Sequence, residues 1–282
     1  MVSRELRERS VSVASVRSPV LEGGPTDSEE AVVFVHGNPG SARDWERLAP
    51  AAAQLARVVA PTMPGFGHAD KPDAFDYTVD GYARHLGGLL DALAVRRAHL
   101  VLHDFGGAWG LAWAAAHPDA FASLVLINIG VPIGYRWHYL ARIWRTPVLG
   151  ELFMATATRA GFHLSLKHGN PRGLPREFVD RMYDDFDRGT RRAVLRLYRS
   201  TEPAEGAERL ATLLRPLGRP ALVVWGVHDP YVPVSLAERQ REVFPDAEIV
   251  LLEESGHWPF ADDPEAVEAA VIPFLRRQLQ FG

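Results

Sequence analysis

Three polar residues stand where predicted strands end, and their types suit covalent catalysis. Asp104 closes the apolar run HLVLHD, Asp229 follows the run ALVVWG, and His257 follows the run AEIVLL. The carboxyl ends of parallel strands meet at one edge of a sheet, so these side chains can converge there. A carboxylate is already ionised at neutral pH and is suited to attack a saturated carbon by displacement. A histidine near its usual pKa can activate water for a second step.

Apolar runs that alternate with Ala/Leu-rich segments predict the elements that would carry these residues. Runs this continuously apolar are typical of a parallel sheet covered by helices on both faces. The predicted strands span residues 31–36, 57–61, 99–104, 123–129, 221–226 and 247–252, and the predicted helices span 41–56, 82–95, about 107–117 and 264–279. The segment RSVSVASVRS alternates apolar and polar residues, which indicates an edge strand with one wet face.

The strand pattern breaks between residues 131 and 216. This stretch contains aromatic residues, the Gly/Pro-rich connector HGNPRGLP and charged helical segments. We interpret it as a helical cap over the carboxyl ends of the strands, where ligands bind in open α/β sheets. The predicted core then comprises residues 1–130 and 217–282.

The composition limits the classes of function. The chain has 282 residues, 47% of them hydrophobic and 23% charged, with a net charge of −4 and no cysteine. This composition is ordinary for a globular protein, it has no basic excess that would indicate a nucleic-acid partner, and the lack of cysteine excludes disulfides and thiolate metal sites. The first residues lack the apolar block of a signal peptide, and no apolar run is long enough for a membrane span. We therefore expect a cytoplasmic protein without nucleic-acid or membrane partners. No motif indicates a metal ion or a cofactor.

The order acid, acid, histidine at strand ends resembles the catalytic triad of the α/β-hydrolase family over about residues 12–280. HGNPGS (36–41) resembles the family's oxyanion loop, and PGFGHADKP (64–72) resembles the loop after its next strand. The resemblance implies that Asp104 forms an ester with the substrate and that water activated by His257 cleaves this ester. It also implies that Asp229 orients the imidazole.

The same resemblance assigns the oxyanion hole to the backbone N–H groups of Asn38 and Phe105. Taken alone, Asp104 could instead cap the helix that follows it. The chain has no serine in a G-x-S-x-G setting, so an ordinary esterase would lack its nucleophile.

Two families with an aspartate nucleophile remain, and they differ in the leaving group. Epoxide hydrolases protonate the ring oxygen from tyrosines of the cap. Tyr198 in RLYRS resembles the second of these tyrosines, and Phe105 has no side-chain N–H for a halide. These two positions favour an epoxide hydrolase that forms a vicinal diol.

Other positions resemble haloalkane dehalogenases, which hold a halide with weak N–H donors. Asn38 is similar to their asparagine, and in the register that fits best Trp137 stands where the first cap tyrosine of an epoxide hydrolase is expected. Tyr135 and Tyr139 are the other candidates for that tyrosine. Leu102 is bulkier than the glycine common in epoxide hydrolases.

We therefore predict an epoxide hydrolase, with a haloalkane dehalogenase as the alternative. A capped hydrolase of another ester or a lactone, and a catalytically silent binding module, remain open, although binding alone needs no ordered triad. The expected partners are a small apolar-to-amphipathic organic substrate and water. A homodimer also stays open.

Overall fold

An eight-stranded sheet carries the three strand-end residues. The computed structural model describes residues 5–280, apart from the side chains of residues 204 and 205. The strand order is β1-β2-β4-β3-β5-β6-β7-β8, with β1 and β2 antiparallel to their neighbours and the other pairs parallel. The strands are β1 Arg7–Val13, β2 Val16–Gly23, β3 Glu30–Val35, β4 Arg57–Pro61, β5 Arg97–His103, β6 Phe121–Ile127, β7 Ala221–Gly226 and β8 Glu248–Leu252.

Helices connect the parallel strands and cover the sheet. The helices are α1 Ala49–Ala52, α2 Val79–Ala92, α3 Phe105–Ala116, α4 Tyr139–Arg145, α5 Leu149–Ala155, α6 Arg159–Lys167, α7 Arg176–Asp185, α8 Arg188–Ser200, α9 Pro203–Leu214, α10 Ser235–Arg239, α11 Pro259–Asp262 and α12 Pro264–Gln280. Within residues 5–280, no helix has both the length and the apolar character needed to cross a bilayer.

The predicted fold class is confirmed, and its physical basis is the burial of the central strands. Every residue of β4, β6 and β7 is buried, as expected for parallel strands with helices on both faces. The six predicted strands start and end within two residues of the observed ones.

The predicted helix over residues 41–56 is wrong as a continuous element. The chain forms a short 3₁₀ turn, Ala42–Trp45, and then the four-residue helix α1. Pro50 explains the break, because its ring would clash with the carbonyl four residues earlier in a longer helix. The structure instead places Pro50 in the first turn of α1, where no N–H is needed.

The predicted edge strand RSVSVASVRS is an antiparallel hairpin. Ala14 and Ser15 form its turn with φ of 47° and 67°, which is typical of a two-residue turn that matches the twist of the strands. The alternation persists across both strands, so the pattern itself does not reveal the turn. The first strand of the hairpin, β1, does lie at the edge and is mostly exposed.

The six helices α4–α9 lie between β6 and β7, and the described residues 128–220 contain no strand. We call this stretch the helical insertion. It reaches the carboxyl edge of the sheet, where Tyr198 of α8 packs on Phe105. The domain boundaries at residues 130 and 217 stay a prediction. Residues 1–4 and 281–282 of the predicted core lie outside the described residues.

A buried ion pair joins two strands on the antiparallel side of the sheet. Arg57 of β4 donates from Nη2 to Oε1 of Glu22 on β2 at 2.8 Å, and from Nη1 to the carbonyl of Ser28 at 2.8 Å. The two side chains are only 4% and 5% exposed. Glu22 keeps one other cationic partner, Arg9, whose half-exposed side chain lies 3.2 Å from Oε2. Loss of the buried partner, Arg57, leaves the Glu22 charge desolvated and only partly compensated, which costs more free energy than the buried pair contributes as a whole.

We therefore expect Arg57→Met to lower the free energy of unfolding by about 3 kcal/mol, as measured by chemical denaturation. The double variant Arg57→Met/Glu22→Gln should recover part of this loss, because it removes the buried charge. Arg96→Ala breaks the exposed pair with Asp91 and is the control, with an expected change of about 0.5 kcal/mol or less. Equal losses in Arg57→Met and Arg96→Ala would show that burial of the Arg57–Glu22 pair has no special effect.

Candidate functional site

Asp104 occupies a sharp turn between β5 and α3. Its φ is 48° and its ψ is −127°, a conformation that a residue with a side chain adopts at a cost of about 1–3 kcal/mol. Its side chain makes no capping hydrogen bond to α3. The helix-capping explanation therefore fails, and the strained turn presents the carboxylate at the carboxyl edge of the sheet.

Two glycines make this turn possible by close backbone approach. A Cβ on Gly106 would collide with the carbonyl oxygen of Val35 and lie 2.6 Å from that of His36. A Cβ on Gly37 would lie 2.6 Å from Oδ1 of Asp104. The end of β3 and the start of α3 are therefore in direct contact beneath the carboxylate.

The two oxygens of the Asp104 carboxylate have different partners. Oδ1 accepts a hydrogen bond from the backbone N–H of Asn38 at 2.7 Å. Oδ2 lies 3.5 Å from Nε2 of His257. The N–H of Phe105 belongs to the first residue of α3, where a helix offers no internal acceptor. Of the two predicted oxyanion-hole residues, Asn38 thus contacts one carboxylate oxygen directly, and Phe105 adjoins the carboxylate.

His257 lies between the two acidic residues. Its Nδ1–H donates to Oδ2 of Asp229 at 2.6 Å, while its Nε2 faces Asp104. Asp229 is also fixed by the backbone N–H groups of Tyr231 and Val232, at 2.8 and 2.9 Å to Oδ1. The structure therefore brings Asp104, Asp229 and His257 together in the order of a catalytic triad.

Asn128 is a further residue of this network, and sequence reasoning missed it. It follows β6 with φ of 49° and donates from Nδ2 to Oδ2 of Asp229 at 2.8 Å. Its Oδ1 accepts the backbone N–H of Gly226, which connects the ends of β6 and β7. The one available signal was a polar residue directly after a buried strand.

The electrostatics favour an ionised Asp104 beside a protonated His257. Burial would raise the pKa of Asp104, but the hydrogen bond and charge of His257, with the Asn38 N–H, hold it below its usual range. Burial would lower the pKa of His257, but the charges and hydrogen bonds of Asp229 and Asp104 raise it well above its usual value. In the resting site the Asp104 carboxylate and the His257 imidazolium therefore form an ion pair, and the Asp229 carboxylate contacts the other nitrogen of the imidazolium.

His103 and His36 stay neutral and hold the surrounding backbone. Burial is the main cause that lowers the pKa of His103 to about 3 and that of His36 to about 4. Nε2 of His103 donates to the carbonyl of His257 at 2.8 Å. Nδ1 of His36 donates to the carbonyl of Gly37, and its Nε2 accepts the N–H of Met63. Both rings therefore hold the backbone of the loops around the site through hydrogen bonds, and neither is a reacting group.

Tyr198 of α8 reaches the Asp104 carboxylate from the helical insertion. The ring is 2% exposed and packs edge-on against Phe105 at a centroid distance of 4.9 Å. Its hydroxyl oxygen lies 3.4 Å from Nδ2 of Asn38 and 3.5 Å from Nε2 of His138. Burial and the charge of Asp104 raise the pKa of Tyr198 well above its usual value, so the phenol keeps its proton.

Sequence reasoning also missed His138, although it is the neighbour of Trp137 in the aromatic segment. Its Nδ1 accepts the backbone N–H of Ala141 and so caps helix α4. Burial lowers the pKa of His138 to about 4, and the ring is neutral at pH 7. Because Nδ1 is an acceptor, the single proton of the ring is on Nε2, which faces the Tyr198 hydroxyl.

The other predicted aromatic residues differ in their contacts and in their exposure to solvent. Trp137 stacks on Phe105 at a centroid distance of 6.2 Å, and its buried Nε1 has no partner among the described residues. The Tyr135 hydroxyl donates to the carbonyl of Tyr231 at 3.2 Å and is therefore engaged. Tyr139 is 50% exposed at the start of α4 and belongs to the wall of neither cavity described below.

Two cavities share wall residues at this site. The larger has a volume of about 420 Å³, and its walls include Phe105, Trp137 and Tyr135. The smaller has a volume of about 90 Å³ and borders Asn38 and His257. Asp104, His138 and Tyr198 belong to the walls of both. Among residues 5–280, no group of His, Asp, Glu or Cys side chains has the arrangement of a metal site.

The sheet and the strand-end triad define the class of protein, and a profile of the alpha/beta hydrolase fold family matches residues 30–264. The chain belongs to this family. A relative from Xanthomonas campestris, named cis-3-alkyl-4-alkyloxetan-2-one decarboxylase, is 30% identical over 281 residues that cover 91% of each chain.

Solved structures resemble the chain in fold. Haloalkane dehalogenase DbeA from Bradyrhizobium elkani has a TM-score of 0.85 and 23% identity, with 99% of this chain and 100% of that chain covered. Epoxide hydrolase A from Mycobacterium thermoresistibile has a TM-score of 0.78 and 23% identity, with 96% and 98% covered. Family membership supports hydrolase activity.

We expect Gly106→Ala to impair the site by moving the start of α3 away from the end of β3. The added methyl group should cost about 1–3 kcal/mol in stability and lower turnover by at least about tenfold. Gly87→Ala in α2 is the control, because its Cβ would meet its nearest neighbour, Trp113, at an ordinary 3.4 Å. Denaturation and steady-state kinetics measure both effects, and normal turnover in Gly106→Ala would show that this contact does not position Asp104.

Proposed function

We propose that the protein hydrolyses an epoxide to a vicinal diol through an alkyl ester on Asp104. The observation that supports this choice is the pair formed by Tyr198 and His138 beside the carboxylate. The strained ring needs a nucleophile on one side and a hydrogen-bond donor for the departing oxygen on the other. Both requirements are met by buried side chains that line one site.

The direction of the hydrogen bonds favours donation into the cavity. The Tyr198 oxygen faces two donors, Nδ2 of Asn38 and the protonated Nε2 of His138. Its own O–H is therefore free to point at a ligand oxygen. When that oxygen develops negative charge, the phenol can transfer a proton to it, and the Nε2–H of His138 faces the phenolate oxygen that remains.

The first half-reaction forms the ester. Oδ2 of Asp104 attacks a ring carbon, the carbon–oxygen bond of the ring breaks, and the alkoxide takes the proton of Tyr198. Oδ1 becomes the carbonyl oxygen of the ester and stays on the Asn38 N–H. Because the attacking carboxylate is already ionised, this step needs no base.

The second half-reaction uses the change in charge that the first one causes. Alkylation removes the negative charge of Asp104, so the pKa of His257 falls. The imidazolium then gives up its proton, which returns through solvent to the Tyr198 phenolate, and the neutral imidazole can act as a base. His257 then takes a proton from water as the water attacks the ester carbon, and the oxyanion develops on Oδ1 beside Asn38 and Phe105. Collapse breaks the bond between the ester carbon and the alkyl oxygen, and the departing alkoxide takes the proton of the carboxyl group that forms, which releases the diol and restores the Asp104 carboxylate.

Haloalkane dehalogenation is the second candidate. The buried Nε1 of Trp137 has no partner among the described residues and could hold a halide, together with Nδ2 of Asn38. Phe105 offers no side-chain N–H beside the carboxylate, which weakens this candidate. Nδ2 of Asn38 already faces Tyr198 as well.

A strained lactone is the third candidate, because the relative from Xanthomonas campestris is named for an oxetan-2-one with two alkyl groups. Such a ring also contains a saturated carbon bonded to oxygen. Displacement by Asp104 would open it without loss of any atom, and the carboxylate set free would replace the alkoxide of an epoxide. The Tyr198–His138 pair would then donate hydrogen bonds to a weakly basic group.

We expect His257→Gln to accumulate the ester, because the glutamine amide can still donate a hydrogen bond to Asp104 but cannot act as the base for hydrolysis. Incubation above neutral pH keeps Asp104 ionised without the imidazolium. Separate incubations with an epoxide, a haloalkane and an oxetan-2-one, each followed by intact-protein and peptide mass spectrometry, identify the substrate class. An epoxide adds its whole mass to the peptide that contains Asp104. A haloalkane would add its mass less that of the hydrogen halide.

The double variant Asp104→Ala/His257→Gln is the control for this trapping and should form no adduct with any compound. An adduct that persists in the double variant would place the nucleophile elsewhere. An adduct from the haloalkane or the oxetan-2-one, with none from epoxides, would replace the proposed reaction by the corresponding alternative.

We expect Tyr198→Phe to slow ester formation from an epoxide by about 100-fold, the lower range for loss of a general acid. Ester formation from a haloalkane should change little, because a halide leaves without a proton. The rate of adduct formation is measured in the His257→Gln background. Phe186→Leu, in the wall of the smaller cavity and outside the donor pair, controls for loss of packing. Equal slowing with the epoxide and the haloalkane would show that Tyr198 acts only through packing.

A further inference from the structure

We propose that the substrate is an epoxide with a substituent on each ring carbon, one longer arm and one apolar arm smaller than a phenyl ring. The inference rests on the proposed function and specifies its substrate class. The two arms lie in different cavities, on either side of the Asp104 carboxylate.

The reacting groups line both cavities. Asp104, Tyr198 and His138 belong to the walls of both cavities, so a ring held by these groups has open space on two sides. A terminal epoxide would fill one space and leave the other empty. An epoxide with two substituents fills both.

The smaller cavity is too apolar to serve water alone. Trp144, Met154, Phe162 and Leu166 form much of its wall, and its volume is about 90 Å³. A single water needs about 10–15 Å³ and two to four polar partners. The end that borders His257 and Asn38 can hold the hydrolytic water, and the remaining apolar space suits an alkyl group. An apolar cavity of about 150 Å³ holds a benzene, so this space takes less than a phenyl ring.

The larger cavity suits a longer arm. Its volume of about 420 Å³ lies in the range of about 300–1,000 Å³ typical of small-molecule sites. Ile129, Val131 and Val232 provide apolar walls. Asp80 and Arg209 also belong to the wall and are 53% and 64% exposed, which marks the end open to solvent. The long arm therefore passes from an apolar channel to a polar opening.

A series of epoxides with one fixed heptyl arm tests this arrangement. The second arm is hydrogen, methyl, ethyl, propyl or phenyl, in both cis and trans forms. Each added carbon of the short arm should raise kcat/KM about threefold to fourfold in the preferred isomer, from about 0.8 kcal/mol per buried methylene. The phenyl compound should fall below the propyl compound, because the smaller cavity cannot hold the ring.

Matched variants assign each arm to its cavity. Ala157 belongs to the wall of the smaller cavity and Ala112 to that of the larger. Ala157→Leu should remove the advantage of propyl over methyl, and Ala112→Leu should lower kcat/KM for the heptyl arm relative to a butyl arm. Met154→Phe is a second variant of the smaller cavity, and the thermal midpoint of each variant shows that it is folded.

Three results would overturn the proposal. Terminal epoxides that react faster than every disubstituted one would refute the second arm and leave the proposed reaction intact. Equal effects of Ala157→Leu and Ala112→Leu on both arms would refute the assignment to two cavities. No adduct in His257→Gln from any epoxide of the series would overturn the proposed function, and this inference with it.

Discussion

The buried ion pair between Asp104 and His257 is the interaction on which the site depends. A carboxylate removed from water normally gains a proton, and a protonated carboxyl group is a poor nucleophile. Here the imidazolium at 3.5 Å and the Asn38 N–H keep Asp104 ionised, and Asp229 keeps the imidazole charged. Asp229 is in turn held by backbone N–H groups from its own loop. The charge that would destabilise a buried carboxylate is thus balanced by groups from three strand ends.

This balance of charges explains how His257 can first act as a cation that stabilises Asp104 and later act as a base. While Asp104 is a carboxylate, His257 is a cation that stabilises it. Once Asp104 becomes an ester, the imidazolium loses the negative charge that stabilised it and gives up its proton, and the neutral imidazole can then take a proton from water. In the proposed reaction no movement of the chain is required between the two steps, because the substrate itself changes the local charge.

The strands could be predicted from the sequence wherever a continuous apolar run marked a buried segment. The strands from β3 to β8 are apolar runs, and hydrophobic periodicity places them within two residues. The errors have local causes. Pro50 breaks a helix that its composition favours, and the turn at Ala14 and Ser15 interrupts an alternation that continues on both sides. Asp104, Asp229 and His257 could be chosen because each follows a strand that ends at the same edge of the sheet. Tyr139 was chosen by its residue type, yet it faces solvent.

The sequence by itself determined the sheet, the strand-end acids and histidine, and the membership of the family, because strands and their ends follow from short-range patterns of apolar and polar residues. The resemblance predicted Tyr198 as a donor, but only the tertiary structure decided that His138 lies beside it. His138 directly precedes α4 and Tyr198 lies in α8, 60 residues later, yet the Tyr198 hydroxyl oxygen and Nε2 of His138 are 3.5 Å apart. The direction in which a helix presents its side chains over a sheet depends on packing between distant segments, and no local pattern specifies it. The role of His138 also depends on the hydrogen bond that its Nδ1 accepts from the Ala141 N–H at the start of α4, because this bond places the ring proton on Nε2.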